Sequence, residues 1–204
     1  MPGIARNYNA NQIILGPADV WLDVNLPAPG ARLSIDADGT PASTNTTAIH
    51  LGMTAAGVTF EYMPEIQDFT SDELTAPHMS RIISEKASLK GEFLQVFNWS
   101  LLAKMTVGGS LGTATGTAGY EELKMGGISS ISTFSVALIG PDISNSSEFY
   151  CVQLYKTYNK SGFTFAVTRK DQSRAPFEFS GLAVRSRASG DQIANFWHQG
   201  AANS

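Results

Sequence analysis

Between residues 131 and 185 the apolar side chains of this chain fall at every second position. Phe134, Val136 and Leu138 alternate with other residues, as do Tyr150, Val152 and Leu154, and then Phe163, Phe165 and Val167. A period of two belongs to the β-strand, whose successive side chains point to opposite faces of a sheet. Turn chemistry separates the runs: residues 159–162 read NKSG, a hairpin turn, and residues 169–174 read RKDQSR, a polar turn. A last strand begins with Phe177 and Phe179, then changes phase at Ser180-Gly181 to Leu182 and Val184, which predicts a bulge. Such a pattern folds as a β meander.

The first half is also strand-like, with one exception. Residues 12–24 read as a strand interrupted at Gly16-Pro17, and residues 25–47 as a long loop with a short strand around 32–35. Residues 48–63 are extended, with bends or bulges at Gly52 and Gly57 and an apolar face of Val58, Phe60 and Tyr62. Pro64 and Pro77 bracket an acidic loop over 64–81, and a strand over 82–91 sets Ala87 and Leu89 opposite Lys86, Ser88 and Lys90. The exception is 92–105, where Phe93, Phe97, Leu101 and Met105 lie four apart with Leu94 and Leu102 beside them. That spacing predicts a helix, with Glu92 at the positive end of its dipole and Lys104 at the negative end. Val96 and Trp99 widen its apolar surface beyond one stripe, so it should be covered on more than one side.

Residues 108–119 (GGSLGTATGTAG) read as a flexible low-complexity run; they lack the Gly-Lys-Ser/Thr ending of a phosphate loop. After Arg187 the chain reads as a polar tail in which Phe196 and Trp197 are possible anchors. The expected fold is mainly β: a β-sandwich or partly closed barrel with one flanking α-helix. It forms one domain over 1–204, with its core over 12–187 and long loops at 25–47, 64–81 and 106–130.

Composition excludes several function classes. Charged residues are 16% of the chain, and the net charge is −4. Residues 1–100 hold eleven acids and five bases, net −6, whereas residues 101–204 hold seven acids and nine bases, net +2. No basic stripe grips phosphate. Cys151, the single cysteine, sits in the apolar run FYCVQLY and reads as a buried thiol without disulfide partner. The N-terminal MPGIARNYNANQ lacks an apolar signal core and no run is long enough to span a membrane, so a soluble protein folded in a reducing cytoplasm is expected. Asn45, Asn98, Asn145 and Asn159 match sequons, which carry no weight without a secretory signal.

Neither a catalytic motif nor a cofactor is expected. His50, His78 and His198 do not stand at metal-ligand spacing from one another or from a cysteine, and neither a Gly-x-Ser-x-Gly elbow nor a His-Glu-x-x-His is present. The acids Glu61, Glu65, Asp68, Asp72 and Glu73 do not make a calcium loop, which needs tighter spacing and a closing Glu. They read either as a solvated loop or as an acidic arm that meets basic residues of another copy. Arg169, Lys170, Arg174 and Arg185 are candidate basic contacts, together with Lys156, Lys160 and Arg187. Opposite charge on opposite ends suits head-to-tail stacking.

The run Gly52-Met53-Thr54, Gly57-Val58-Thr59-Phe60, Pro64-Glu65-Ile66 and Asp72-Glu73, then the strand over 82–91 and the helix over 92–105, resembles the tail tube (major tail) proteins of long-tailed bacteriophages. The C-terminal part is similar too, with a strand from Phe149, a hairpin into 163–167, and an Ala-Pro-Phe-Glu-Phe strand closing at Val184. The likeness spans about 12–187 and lies in the order and spacing of elements; the glycine-rich 106–130 departs from it. It implies a non-enzymatic subunit of the virion tail, made in the host cytoplasm, that forms hexameric rings stacked into a tube for genome passage. Implied partners are further copies of itself, tail-tip and tail-terminator proteins, and the tape-measure protein in the lumen. An acidic lumen would let double-stranded DNA slide, since like charge denies it sticky sites. On this reading the five acids line the lumen or the ring-to-ring contact, and Leu94, Phe97, Trp99 and Leu101 pack the helix against the sheet or a neighbour. Alternatives are a tail terminator or an Hcp-like secretion tube, and, from another class, a β-sandwich module that binds carbohydrate or a cell surface.

Overall fold

The computed structural model describes residues 18–70, 76, 79–94, 98–107, 109–113, 121–127, 129–142, 145, 148–162, 164 and 173–199. Residues 12–17 of the first expected strand, and nearly all of the one expected over 163–167, lie outside these. The elements are β1 (Asp19–Leu22), β2 (Ile49–His50), β3 (Thr54–Phe69), β4 (Met79–Phe93), α1 (Trp99–Met105), β5 (Ser110–Thr113), β6 (Glu121–Lys124), β7 (Phe134–Pro141), β8 (Phe149–Asn159), β9 (Ala175–Gly181) and β10 (Ala194–Gln199). Among the described residues the fold is mainly β with one helix, as the sequence predicts. One antiparallel sheet runs β2-β1-β7-β8-β9-β4-β3, with β10 also on β8, and β5-β6 is a separate ribbon.

This sheet must curl. β2 and β3 are its two ends, yet only Leu51-Gly52-Met53 join them. Four Cα steps from His50 to Thr54 reach at most ~15 Å, whereas the edges of a flat seven-stranded sheet stand ~29 Å apart. The joining residues touch both ends: Leu51 N–H donates to the Val20 carbonyl (2.8 Å) and Leu94 N–H to the Met53 carbonyl (2.9 Å). Gly52, at φ 86°, supplies the left-handed backbone of this tight link. The ends approach without pairing, so the sheet is not a closed barrel.

The main core includes Val20, Leu22, Leu89, Phe93, Val136, Leu154, Phe177 and Phe179, and α1 adds Leu101 and Met105. A second cluster covers Ala137, Ile139, Phe149 and Cys151 with Val24, Leu33, Ile35 and Trp197. The long segment between β1 and β2 therefore roofs the sheet, rather than standing free. Its tight turn needs Gly39 (φ 82°), because a Cβ there would come within 2.7 Å of the Phe149 ring. With both faces covered, β8 buries Phe149 and Cys151 as well as Leu154, and leaves Tyr150 and Val152 half-buried, so its alternation is weaker than the expected Tyr150, Val152 and Leu154 face.

Five expectations are corrected. The helix covers 99–105, not 92–105: Phe93 ends β4 opposite Ala175, and Glu92 pairs with Pro176 in the sheet rather than capping a helix. Asn98 caps α1, its Oδ1 accepting from Leu101 N–H at 3.2 Å. Residues 64–69 and 79–81 are strand rather than loop. Part of the glycine-rich run is ordered as β5, paired with β6. The polar tail carries β10, which pairs with residues 149–154 of β8, while β9 pairs with residues 157–159 of the same strand. Trp197 anchors β10 in the second cluster; Phe196 is exposed. β9 ends at Gly181 without the expected bulge, and Leu182 N–H then donates to the Lys156 carbonyl at 2.7 Å.

Candidate functional site

β4 pairs with β9 only from Ser88 to Phe93. Beyond that point, residues 62–69 of β3 and 79–87 of β4 continue as two strands with no third strand beside them among the described residues. The result is an arm projecting from the curled sheet. Pro64 is tolerated inside it because no strand among the described residues pairs with the outer edge of β3, where a proline costs no ladder bond. A register shift between Glu65 and Ile66 inserts Ile83 as an extra residue on β4, a bulge that increases local twist.

Alternation assigns the faces. One carries Tyr62, Pro64, Ile66 and Asp68 opposite Ala87, Glu85, Ile82 and Ser80; the other carries Met63, Glu65, Gln67 and Phe69 opposite Lys86, Ser84, Arg81 and Met79. Tyr62, Met63, Ile66, Phe69, Met79, Ile82 and Ile83 are all exposed large hydrophobics. A two-stranded ribbon is marginal in water on its own, and a cluster of exposed apolar side chains marks an interaction surface. At the arm's root, Phe60, Tyr62 and Glu85 face Ile193 and Phe196 across a shallow groove.

Cross-strand polar contacts brace the arm. Ser84 Oγ donates to Glu65 Oε2 (2.7 Å), Ser80 Oγ to Asp68 Oδ1 (2.5 Å), and the Tyr62 hydroxyl to Glu85 Oε1 (2.5 Å). That last bond, with partial burial, raises the Tyr62 phenol above its ordinary range. Glu61 lies 2.6 Å from Lys90 Nζ, whose hydrogen bond and charge hold its carboxyl below the usual range, and Lys90 is raised in turn.

The candidate acids therefore divide. Glu61 is spent in an ion pair at the arm's root, Glu65 and Asp68 stand on opposite faces of the arm, and Asp72 and Glu73 lie outside the described residues. Among the basic candidates, Arg174 is 3.8 Å from Glu92 of its own chain and Arg185 is exposed after β9; Arg169 and Lys170 lie outside the described residues. Arg187 is buried and structural, its Nη1 donating to the Pro27 carbonyl at 2.8 Å, so it cannot serve as a surface contact. Of the helix set, Leu101 is buried, Trp99 half-buried, Leu94 half-buried at the bend after β4, and Phe97 outside the described residues. The arm's isoleucines escaped sequence reasoning, although the apolar positions in PEIQDF and RIISEK carried the signal.

Among the described residues, one group could hold a metal ion: Asp142, Glu148 and His198, whose ligand atoms lie within 4.8 Å of one another. No described helix is long and apolar enough to cross a membrane. No protein-family model matches the chain, and no curated protein matches its sequence. Fold and site together define a curled β-sheet protein with an apolar, acid-studded two-stranded arm.

Proposed function

We propose that this chain is a structural subunit that assembles with copies of itself through the β3–β4 arm, as a tail tube protein of a long-tailed phage would. One observation carries the reading: among the described residues, the arm leaves the body as a bare ribbon with seven exposed large hydrophobics. Such a ribbon gains its missing packing when it lies against another subunit. Burying the half of each side chain that is still exposed is worth on the order of 1 kcal/mol, enough in aggregate to drive association.

The tube assignment rests on the likeness in element order and on the excess of acid in the first half of the chain. In a tube, stacked rings would seat each arm on the next ring, and the lumen would let DNA pass without binding it. Glu65 and Asp68 remain available on the arm for ring-to-ring contact or lumen charge. Asp72 and Glu73 are proposed for the same role, and Arg185 is a candidate counter-charge on the body.

Negative-stain electron microscopy of the purified protein at high concentration, with and without a tail-tip initiator, tests this. Rings or tubes of uniform diameter are expected. Monomers alone under both conditions would overturn it.

A further inference from the structure

β7, β8 and β10 come together at one corner of the sheet. Phe149 pairs with Pro141 on one side and with Gln199 on the other, so Asp142, Glu148 and His198 each lie within one residue of that junction. His198 Nε2 is 3.1 Å from Asp142 Oδ2 and 3.1 Å from Glu148 Oε2. The side chains are graded in depth, at 5% exposure for Asp142, 21% for Glu148 and 37% for His198.

A surrounding shell holds these three groups. Asp142 N–H donates to the Glu148 carbonyl (2.8 Å), and Asn145 Nδ2 donates to Glu148 Oε1 (2.8 Å), which leaves Oε2 turned to the histidine. Tyr150 hydrogen-bonds Asp142, and its ring lies against the His198 ring at 4.5 Å between centroids. The donors are thus oriented by neighbours, as metal ligands commonly are.

Hydrogen bonding alone accounts poorly for the triad. Nε2 carries at most one hydrogen, yet two carboxylates stand equally close to it. Two carboxylates converging in a partly buried corner also repel. A cation removes both difficulties. Ligands ~2.0–2.2 Å from a zinc ion stand roughly 3.3–3.6 Å apart in a tetrahedron, close to the spacing of His198 from each acid.

We propose that Asp142, Glu148 and His198 form a divalent transition-metal site that clips the ends of β7, β8 and β10 together. One imidazole and two carboxylates suit Zn2+ or Mn2+ better than Ca2+, which takes six to eight oxygens. The exposed side at His198 leaves room for water in the remaining position. The site would fasten β10, the last strand of the sheet.

The test is titration calorimetry of the chelator-treated 204-residue protein with ZnCl2 and MnCl2, alongside thermal melts. One equivalent should bind saturably with at least one metal and raise the melting temperature. CaCl2 and MgCl2 should bind at least ten-fold more weakly. His198→Gln and Glu148→Gln should each weaken binding ten-fold or more while the circular dichroism stays that of the parent, and His50→Gln should leave binding unchanged. Absence of saturable binding to 1 mM metal, or binding indifferent to both His198→Gln and Glu148→Gln, would overturn the site and leave a hydrogen-bonded histidine only. Because the isolated chain is titrated, neither result depends on tube formation.

Discussion

Ile66 and Ile82 face each other across the β3–β4 arm, yet 59% and 52% of their surfaces are exposed. A cross-strand isoleucine pair stabilises a sheet when a layer covers it; here none of the described residues does. Replacing both with threonine keeps the β-branched shape and removes apolar surface. The monomer should lose under ~1 kcal/mol, since exposed sites contribute little. Self-association measured by sedimentation velocity should weaken at least ten-fold.

The core makes the opposite prediction. Phe179 is fully buried, stacked on Phe177 at 4.8 Å and edge-on to Phe134 at 5.5 Å. Phe179→Ala should cost ~3–5 kcal/mol in urea unfolding. Phe196→Ala, at a residue 55% exposed, should cost well under half of that.

A buried knot ties the segment after β9 to β8. The Tyr155 hydroxyl donates to Asp191, and the Arg187 guanidinium sits 3.8 Å over the Tyr155 ring and 3.1 Å from Asp191 Oδ2. Burial, then the bond to Asp191, pushes the Tyr155 phenol up to about 12. A raised folded-state pKa means that the stabilisation is fully present below the unfolded value of ~10. It is lost as pH climbs from there through the folded value. Melting temperature should therefore fall between pH 10 and pH 12, and Tyr155→Phe should make that fall shallower. Arg187→Ala at neutral pH should cost ~1–3 kcal/mol, because it removes the buried bond to the Pro27 carbonyl, the packing on the Tyr155 ring and one of the partners of Asp191.

Cys151 is fully buried in the second cluster, and burial raises its thiol well above its ordinary range. A thiol reagent at pH 8 should leave the native protein unlabelled over hours and react within minutes in denaturant. Fast labelling of the native chain would contradict the packing of Trp197 and Leu33 around it.

Particular residues explain what could be read from the sequence. Ala87 and Leu89 alternate cleanly because only one face of that part of β4 is buried, and both were legible as core. The spacing of Phe93, Phe97, Leu101 and Met105 by four predicts too long a helix, because the same spacing also fits a period of two. The pairing of Phe93 with Ala175 decided in favour of strand. Pro64 and the acids around it predict a loop, because such residues usually break strands. An unpaired edge and two exposed faces remove both objections. The Asp142, Glu148 and His198 group was hidden for another reason: His198 stands far along the chain from both acids, and only the pairing of β10 with β8 brings it near.

Hydrogen exchange of the arm, followed by mass spectrometry at low and high protein concentration, tests the central claim most directly. If the arm seats on a neighbouring copy, amides over 62–69 and 79–86 should exchange rapidly in dilute protein and at least ten-fold more slowly in the assembled state. The core strands should be equally protected in both. Equal exchange of the arm at both concentrations, in a sample shown to be assembled, would contradict arm-mediated assembly.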